Sequence, residues 1–201
     1  MSLDTLCALI PPYAADLAQN LTVLAAETTL DDQQKWGTFL ATAHAIGVMP
    51  VVHHLEAQAA TLLSPEAVIA ARAAAAIMGM NNVYYRSLHL LHNKAYEGLP
   101  SKLRMNILRN PGVSKIDFEL WSLAVSAVNG CGLCLDSHEK VLREHEVSLI
   151  QIQTALRIAS VVNAISAVLR AEASLAPLSI PATKSISATQ NKNILSTNKI
   201  K

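Results

Sequence analysis

The sequence predicts an all-α protein, and three observations carry that prediction. Apolar residues recur at helical spacing in one segment after another, and nowhere alternate with period two over a length that would make a strand. The punctuation is that of helices. Asp31, Ser64, Ser114 and Ser148 each stand just before such a segment, where a side-chain oxygen can take an orphan backbone N–H. Third, 51% of the chain is hydrophobic and only 15% is charged, so much of the helical surface must be buried against other helices or other subunits. A length of 201 residues allows one domain with a real core, or two small repeats sharing one.

In order, residues 3 to 9 and 13 to 26 read as short helices separated by the breaker pair Pro11-Pro12. Asp31 caps a helix to about Ala45, with Trp36, Phe39 and Leu40 on its apolar face. Pro50 and Pro65 each stand at a first helical position, and Ser64 is the cap before the second. Pro65 to Met78 is an alanine-rich helix, apolar nearly all round and therefore expected to be buried. Gly79 is expected to interrupt it, with a further helix from Asn81 to about His92. A loop through Gly98-Leu99-Pro100 leads to a short helix near Lys102 to Arg109, and Asn110-Pro111-Gly112 is a turn. Ser114 with Asp117 opens the next helix, which ends at Asn129-Gly130. Another runs from Cys131 to about His145, and Ser148 with Gln151 forms a capping box for a last long helix to about Leu175.

Ala74–Leu91 can be laid over Val125–Leu142 with Gly79 on Gly130, a faint internal repeat of two helix hairpins. Residues 177–201 differ in kind. They are rich in Ser, Thr, Asn and Lys, carry four lysines and no acid, and read as a mobile tail rather than a docking arm.

Composition also excludes. A net charge of +1 argues against an electrostatic nucleic-acid binder. No run of about 18 consecutive uncharged apolar residues marks a membrane span, and the N-terminal stretch, with Asp4 and no early Lys or Arg, does not read as a signal peptide. Three cysteines are too few and too uneven for a secreted disulfide scaffold, so the expected setting is the cytoplasm.

The chemistry concentrates in Glu119 to His138, ELWSLAVSAVNGCGLCLDSH. Cys131 and Cys134 form a Cys-x-x-Cys pair, His138 follows four residues after Cys134, and Glu119 stands twelve residues before Cys131. On a helix starting near Cys131, both thiols and the imidazole share one narrow arc, and Cys134 and His138 are an i, i+4 pair. A thiol near the positive end of a helix and beside an imidazole gives up its proton readily, and a second thiol can close a disulfide with it. If the helices on either side of Gly130 fold back antiparallel, Glu119 lies within about one turn of His138 and can orient it.

With these residues the chain resembles the AhpD-type alkylhydroperoxidases of the carboxymuconolactone-decarboxylase-like superfamily. Their motif is Glu, eleven residues, Cys-x-x-Cys, three residues and His, and Glu119, Cys131, Cys134 and His138 match it throughout. RMNILRNPG at 104–112, FELWS at 118–122, IMGMNNVYYR at 77–86 and WGTFLATA at 36–43 are similar too. The resemblance covers roughly residues 1–176 and leaves out the tail. It implies a helical subunit of a homotrimer that reduces peroxides through the two cysteines, with His138 and Glu119 as proton relay. It implies no tightly bound cofactor, with dihydrolipoamide, carried on the lipoyl-bearing acyltransferase of a 2-oxoacid dehydrogenase complex, as reductant. A peroxiredoxin is the further implied partner. Which cysteine strikes first stays open: Cys134 is nearest His138, and Cys131 is nearest the helix start. One departure stands out. Leu133 occupies a place where relatives often carry His, and a leucine cannot relay protons, which favours an electron-passing adaptor as the alternative.

Other classes are weaker. A zinc site on Cys131, Cys134 and His138 lacks an evident fourth ligand, and the superfamily's metal-free decarboxylases are implied to do without the Cys-x-x-Cys. His53, His54, His89 and His92 read as ordinary histidines, Met78, Met80 and Tyr84 as core or interface packing, and Cys7 as a small buried hydrophobe. The sequon at Asn20 has no meaning in the cytoplasm.

Overall fold

The computed structural model describes residues 3–175, so the tail expected over 177–201 lies outside the described residues. Eight α-helices make up the described chain: α1 (Leu3–Ala8), α2 (Ala15–Ala26), α3 (Asp32–Ile46), α4 (Met49–Ala59), α5 (Pro65–Leu90), α6 (Lys115–Val128), α7 (Gly132–Glu144) and α8 (Leu149–Leu175). Single 3-10 turns sit at Pro12–Ala14, Lys94–Gly98 and Asn106–Leu108, and no strand occurs among the described residues. The fold is all-α.

The predicted caps account for the starts. Asp31 accepts the N–H of Gln34 at 2.8 Å, Ser64 that of Ala67 at 3.2 Å, and Ser114 that of Ile116 at 3.2 Å. Before α8 the exchange is reciprocal: Ser148 N–H donates to Gln151 Oε1 at 2.9 Å, and Gln151 N–H to Ser148 Oγ at 3.3 Å. Asp117 takes no part in capping. It is buried, and its carboxylate accepts from Gln33 Nε2 at 2.7 Å. Burial pushes its pKa up, against the lowering effect of its glutamine donors.

α3 lies at the centre, packed against α4, α5, α6 and α8. Phe39, Leu40, Ala41 and Ala43 of α3 are buried, with Trp121 of α6 fully enclosed. α3 and α6 approach this closely because residue 37 is glycine: a Cβ there would fall 2.1 Å from the Trp121 ring. The indole N–H then donates to the Gln34 carbonyl at 3.2 Å, so the buried ring leaves no polar atom unpaired. Glu56 of α4 joins His44 Nε2 of α3 at 2.9 Å and Arg72 of α5. Burial, aided by the Arg72 charge, holds His44 below the ordinary histidine pKa.

The structure corrects the sequence reading in three places. α5 does not break at Gly79 but runs on to Leu90. Gly79 lies on the exposed face, where it forfeits about 1 kcal/mol of helix propensity, while Ala71, Ala74, Ala75, Met78 and Asn82 hold the opposite face in the core. The alignment of Gly79 with Gly130 therefore pairs a through-going helix with a true break, and the internal repeat loses its basis. Nor is the alanine-rich part of α5 buried all round, since Ile69 is 63% exposed. Finally, the short helix expected over Lys102–Arg109 is one 3-10 turn at Asn106–Leu108, with Lys102 at φ 52° and Met105 at φ −135° before it, both outside right-handed helical geometry.

By length and composition α8 could cross a membrane, and half of its most apolar window is buried inside the fold. Ile152, Ala155, Ile158, Val162, Ile165 and Leu169 form its core face, and Arg157 on the outer side reaches Glu27 at 3.3 Å. Its burial is one-sided, as for a helix packed on a core.

Candidate active site

The corner between α6 and α7 builds the site. Gly130 has φ 66°, a left-handed conformation that ends α6. The N–H of Cys131 returns to the Ser126 carbonyl at 3.0 Å and that of Gly130 to Ala127 at 3.1 Å, the paired bonds of a Schellman stop. α5 clamps this corner. Asn82 Nδ2 donates to Ser126 Oγ and Asn129 Nδ2 to Asn82 Oδ1, each at 2.9 Å, while the Arg86 guanidinium donates to the Asn129 carbonyl. The corner is held from two sides.

Cys131 follows as the N-cap of α7, and Cys134 lies in its first turn. The two are joined in a disulfide with Cα atoms 5.3 Å apart. Cys131 is 0% exposed and Cys134 7%. His138, one turn beyond Cys134, places Nδ1 at 2.6 Å from Glu119 Oε2. The side chains of His138 and Glu119 are 13% and 19% exposed, so their contact is largely screened from water. Because an ionised carboxylate can only accept, Nδ1 is the donor, and Nε2 faces away from Glu119. Nε2 lies 3.3 Å from Met78 Sδ.

Cys134, Ser137 and His138 open on a cavity of about 330 Å³. Its other walls are Met78, Asn81 and Tyr85 of α5, Met105 and Leu108 from the loop before α6, and Leu133, 44% exposed at the rim. Cys131 is not among its lining residues. The arrangement suits nucleophilic sulfur chemistry, with one sulfur reachable from the cavity, a resolving partner behind it and an oriented imidazole alongside.

All four residues singled out from the sequence, Glu119, Cys131, Cys134 and His138, are thus brought together. Glu119, 19% exposed, is largely withdrawn from water. Among the described residues no three His, Cys, Asp or Glu side chains cluster so as to hold a metal ion. Cys7 is half-buried, its Sγ 3.9 Å from the Ala18 carbonyl, rather than enclosed as expected. His53, His89 and His92 are exposed and lie outside the cavity. Sequence reasoning missed the α5 wall. Met78 was expected only to pack, and Asn81, Tyr85, Met105 and Leu108 were not singled out for the site. The available signal was the pair Asn81-Asn82, two amides inside an otherwise apolar helix.

An all-helical chain that presents one sulfur of a disulfide-linked Cys-x-x-Cys to a cavity, beside a carboxylate-held imidazole, has the makings of a thiol-dependent oxidoreductase. The model of the carboxymuconolactone decarboxylase family matches residues 95–176. Curated relatives extend the match over most of the chain. An alkyl hydroperoxide reductase AhpD of Maricaulis maris is 63% identical over 172 residues, covering 86% of this chain and 99% of the relative. Those of Hyphomonas neptunium and Rhizorhabdus wittichii are 59% and 55% identical, covering 88% and 84% of this chain and 98% and 97% of theirs. The chain belongs to the AhpD family and is an oxidoreductase of the peroxidase type.

Proposed function

We propose that this protein reduces alkyl hydroperoxides through Cys131 and Cys134, with Glu119 and His138 as the proton relay. The observation that carries the reading is the cavity shared by Cys134 and His138, with the disulfide partner Cys131 buried behind. In the reduced protein the Cys134 thiolate attacks the terminal oxygen of R–O–O–H. An S–O bond forms as the O–O bond breaks, and the departing alkoxide takes a proton by way of His138 to leave as R–OH. The Cys134 sulfenic acid then condenses with the Cys131 thiol, releasing water and forming the disulfide. A dithiol restores the pair by exchange at the reachable Cys134 sulfur.

The reductant in this reading is dihydrolipoamide, presented by the lipoyl-bearing acyltransferase of a 2-oxoacid dehydrogenase complex. A peroxiredoxin is the protein the dithiol reduces in turn, and the resemblance of the motif is what supports both. The domain spans residues 1–176, assembles as a homotrimer and works in the cytoplasm. Exposed apolar side chains such as Val83, Leu90 and Leu99 are compatible with subunit contacts. Leu133 favours a second reading, a thiol–disulfide adaptor with little peroxidase activity, because a leucine in that place cannot relay protons.

A thiol count decides between them. Reduced protein receives one equivalent of cumene hydroperoxide, and free thiols and peroxide are followed together for wild type, His138→Ala and Cys134→Ser. Loss of two thiols per peroxide, slowed in His138→Ala and abolished in Cys134→Ser because the attacking sulfur is gone, is the expected result. Thiols that ignore peroxide but exchange with oxidised lipoamide select the adaptor. Thiols that do neither until a chelator is added select a zinc site and overturn both.

A further inference from the structure

The cavity beside Cys134 holds a polar group that the relay does not use. Asn81 is only 5% exposed, yet its Oδ1 is buried without a hydrogen-bond partner. Its neighbour Asn82 shows the contrast, with Oδ1 and Nδ2 both engaged by the α6–α7 corner. A buried amide oxygen left unpaired is costly to retain, and such atoms need a reason. Asn81 also lines the cavity together with Cys134 and His138, so that a turn of the amide brings this oxygen to a molecule bound there. Half a turn about the terminal torsion exchanges the two ends of the amide, so either the acceptor or the donor can be turned to a bound molecule.

We infer that Asn81 is the residue that holds the two peroxide oxygens, and that the apolar wall of Tyr85, Met105, Leu108 and Leu133 takes the organic part of the substrate. This rests on the peroxidase reading above. A hydroperoxide offers one O–H and two acceptor oxygens. Asn81 Oδ1 accepts the O–H, or Nδ2 donates to the oxygen bearing R, on which negative charge collects as the O–O bond breaks. Either bond orients the O–O axis toward the Cys134 sulfur, and His138 returns the proton to the alkoxide. Besides Asn81, Ser137, His138 and the Tyr85 hydroxyl, the lining side chains offer only carbon and sulfur, and about 330 Å³ is far more than hydrogen peroxide fills. The preferred substrates are therefore hydroperoxides with a bulky hydrocarbon group, and hydrogen peroxide is a poor one.

The test uses the reduced full-length protein in stopped flow with cumene hydroperoxide, hydrogen peroxide and oxidised lipoamide. Wild type is expected to oxidise at least tenfold faster with cumene hydroperoxide than with hydrogen peroxide. Asn81→Leu keeps the size of the side chain and removes the amide. It is expected to lower both peroxide rate constants about tenfold relative to lipoamide exchange, the value of one hydrogen bond strengthened in the transition state. Asn81→Ala, which removes the amide and enlarges the cavity, gives the same comparison should the leucine variant misfold. Leu108→Trp, which narrows the cavity, should lower the cumene-to-hydrogen-peroxide ratio. Peroxide-to-lipoamide ratios within twofold of wild type in either Asn81 variant overturn the assignment of Asn81, and equal wild-type rates with the two peroxides overturn the substrate class. A wild type that exchanges with lipoamide but consumes no peroxide overturns the peroxidase reading and this inference with it.

Discussion

Among the described residues the Glu119 carboxylate meets His138, and in the proposed relay it works through that imidazole, which makes its removal quantitatively predictable. The contact is 2.6 Å long, between side chains 13% and 19% exposed, so it is a charge-assisted hydrogen bond with little competition from water. Such bonds contribute about 1.5–3 kcal/mol. If that stabilisation is felt mainly as the imidazole takes up and releases a proton, Glu119→Ala should slow peroxide-driven thiol oxidation about ten- to 150-fold. Glu119→Gln keeps a neutral acceptor of about half the strength, and should slow it only about three- to tenfold. The assay is single-turnover thiol oxidation of the reduced protein with cumene hydroperoxide in stopped flow, for wild type, each Glu119 variant, His138→Ala and the double variant. Because Glu119 works through the imidazole, it should matter little once His138 is gone. Two results refute this reasoning. One is a Glu119→Ala rate within twofold of wild type. The other is a Glu119→Ala effect as large in the His138→Ala background as in the wild type, which would mean a role independent of the imidazole.

Three further outcomes are expected. Gly37→Ala should lower the urea midpoint by an amount equivalent to at least about 2 kcal/mol, since the new Cβ would fall 2.1 Å from the fully buried Trp121 ring; an unchanged midpoint would mean that α3 and α6 can separate freely. Asp117 has its pKa raised by burial, so the folded state binds its proton more tightly than the unfolded chain does. Its contribution is fully present below the unfolded carboxylate pKa and is lost as pH rises through the folded value. Asp117→Asn, which can still accept from Gln33, should therefore gain stability relative to wild type as pH rises from about 3 to 7, read from urea melts across that range, and a difference constant with pH would sink the argument. Leu133→His should raise peroxide turnover with lipoamide as reductant, because it sets a proton-carrying ring at the rim of the cavity; turnover no higher than wild type would show that the leucine is no handicap.

What the sequence by itself determined was local. Helix starts are written in single side chains and in the three or four residues that follow, which is why Asp31, Ser64, Ser114 and the Ser148/Gln151 pair were readable without a structure. The Cys131–Cys134–His138 constellation was equally readable, because one helix turn brings those positions together whatever surrounds them. Glu119 was reachable one step further, through the assumption that two helices fold back at Gly130. Tertiary structure alone decided the rest. Gly79 looked like a break because local propensity is against it, but packing along the buried face of α5 outweighs a cost of about 1 kcal/mol. The same face carries Met78, Asn81 and Tyr85 to the cavity from more than thirty positions before Glu119 in the chain, as no local spacing could foretell. Which sulfur can be reached was likewise beyond the sequence. The motif gives each cysteine one advantage, His138 for Cys134 and the helix start for Cys131, and only the packing of α5 and α6 around the corner buries Cys131 and turns Cys134 to the cavity.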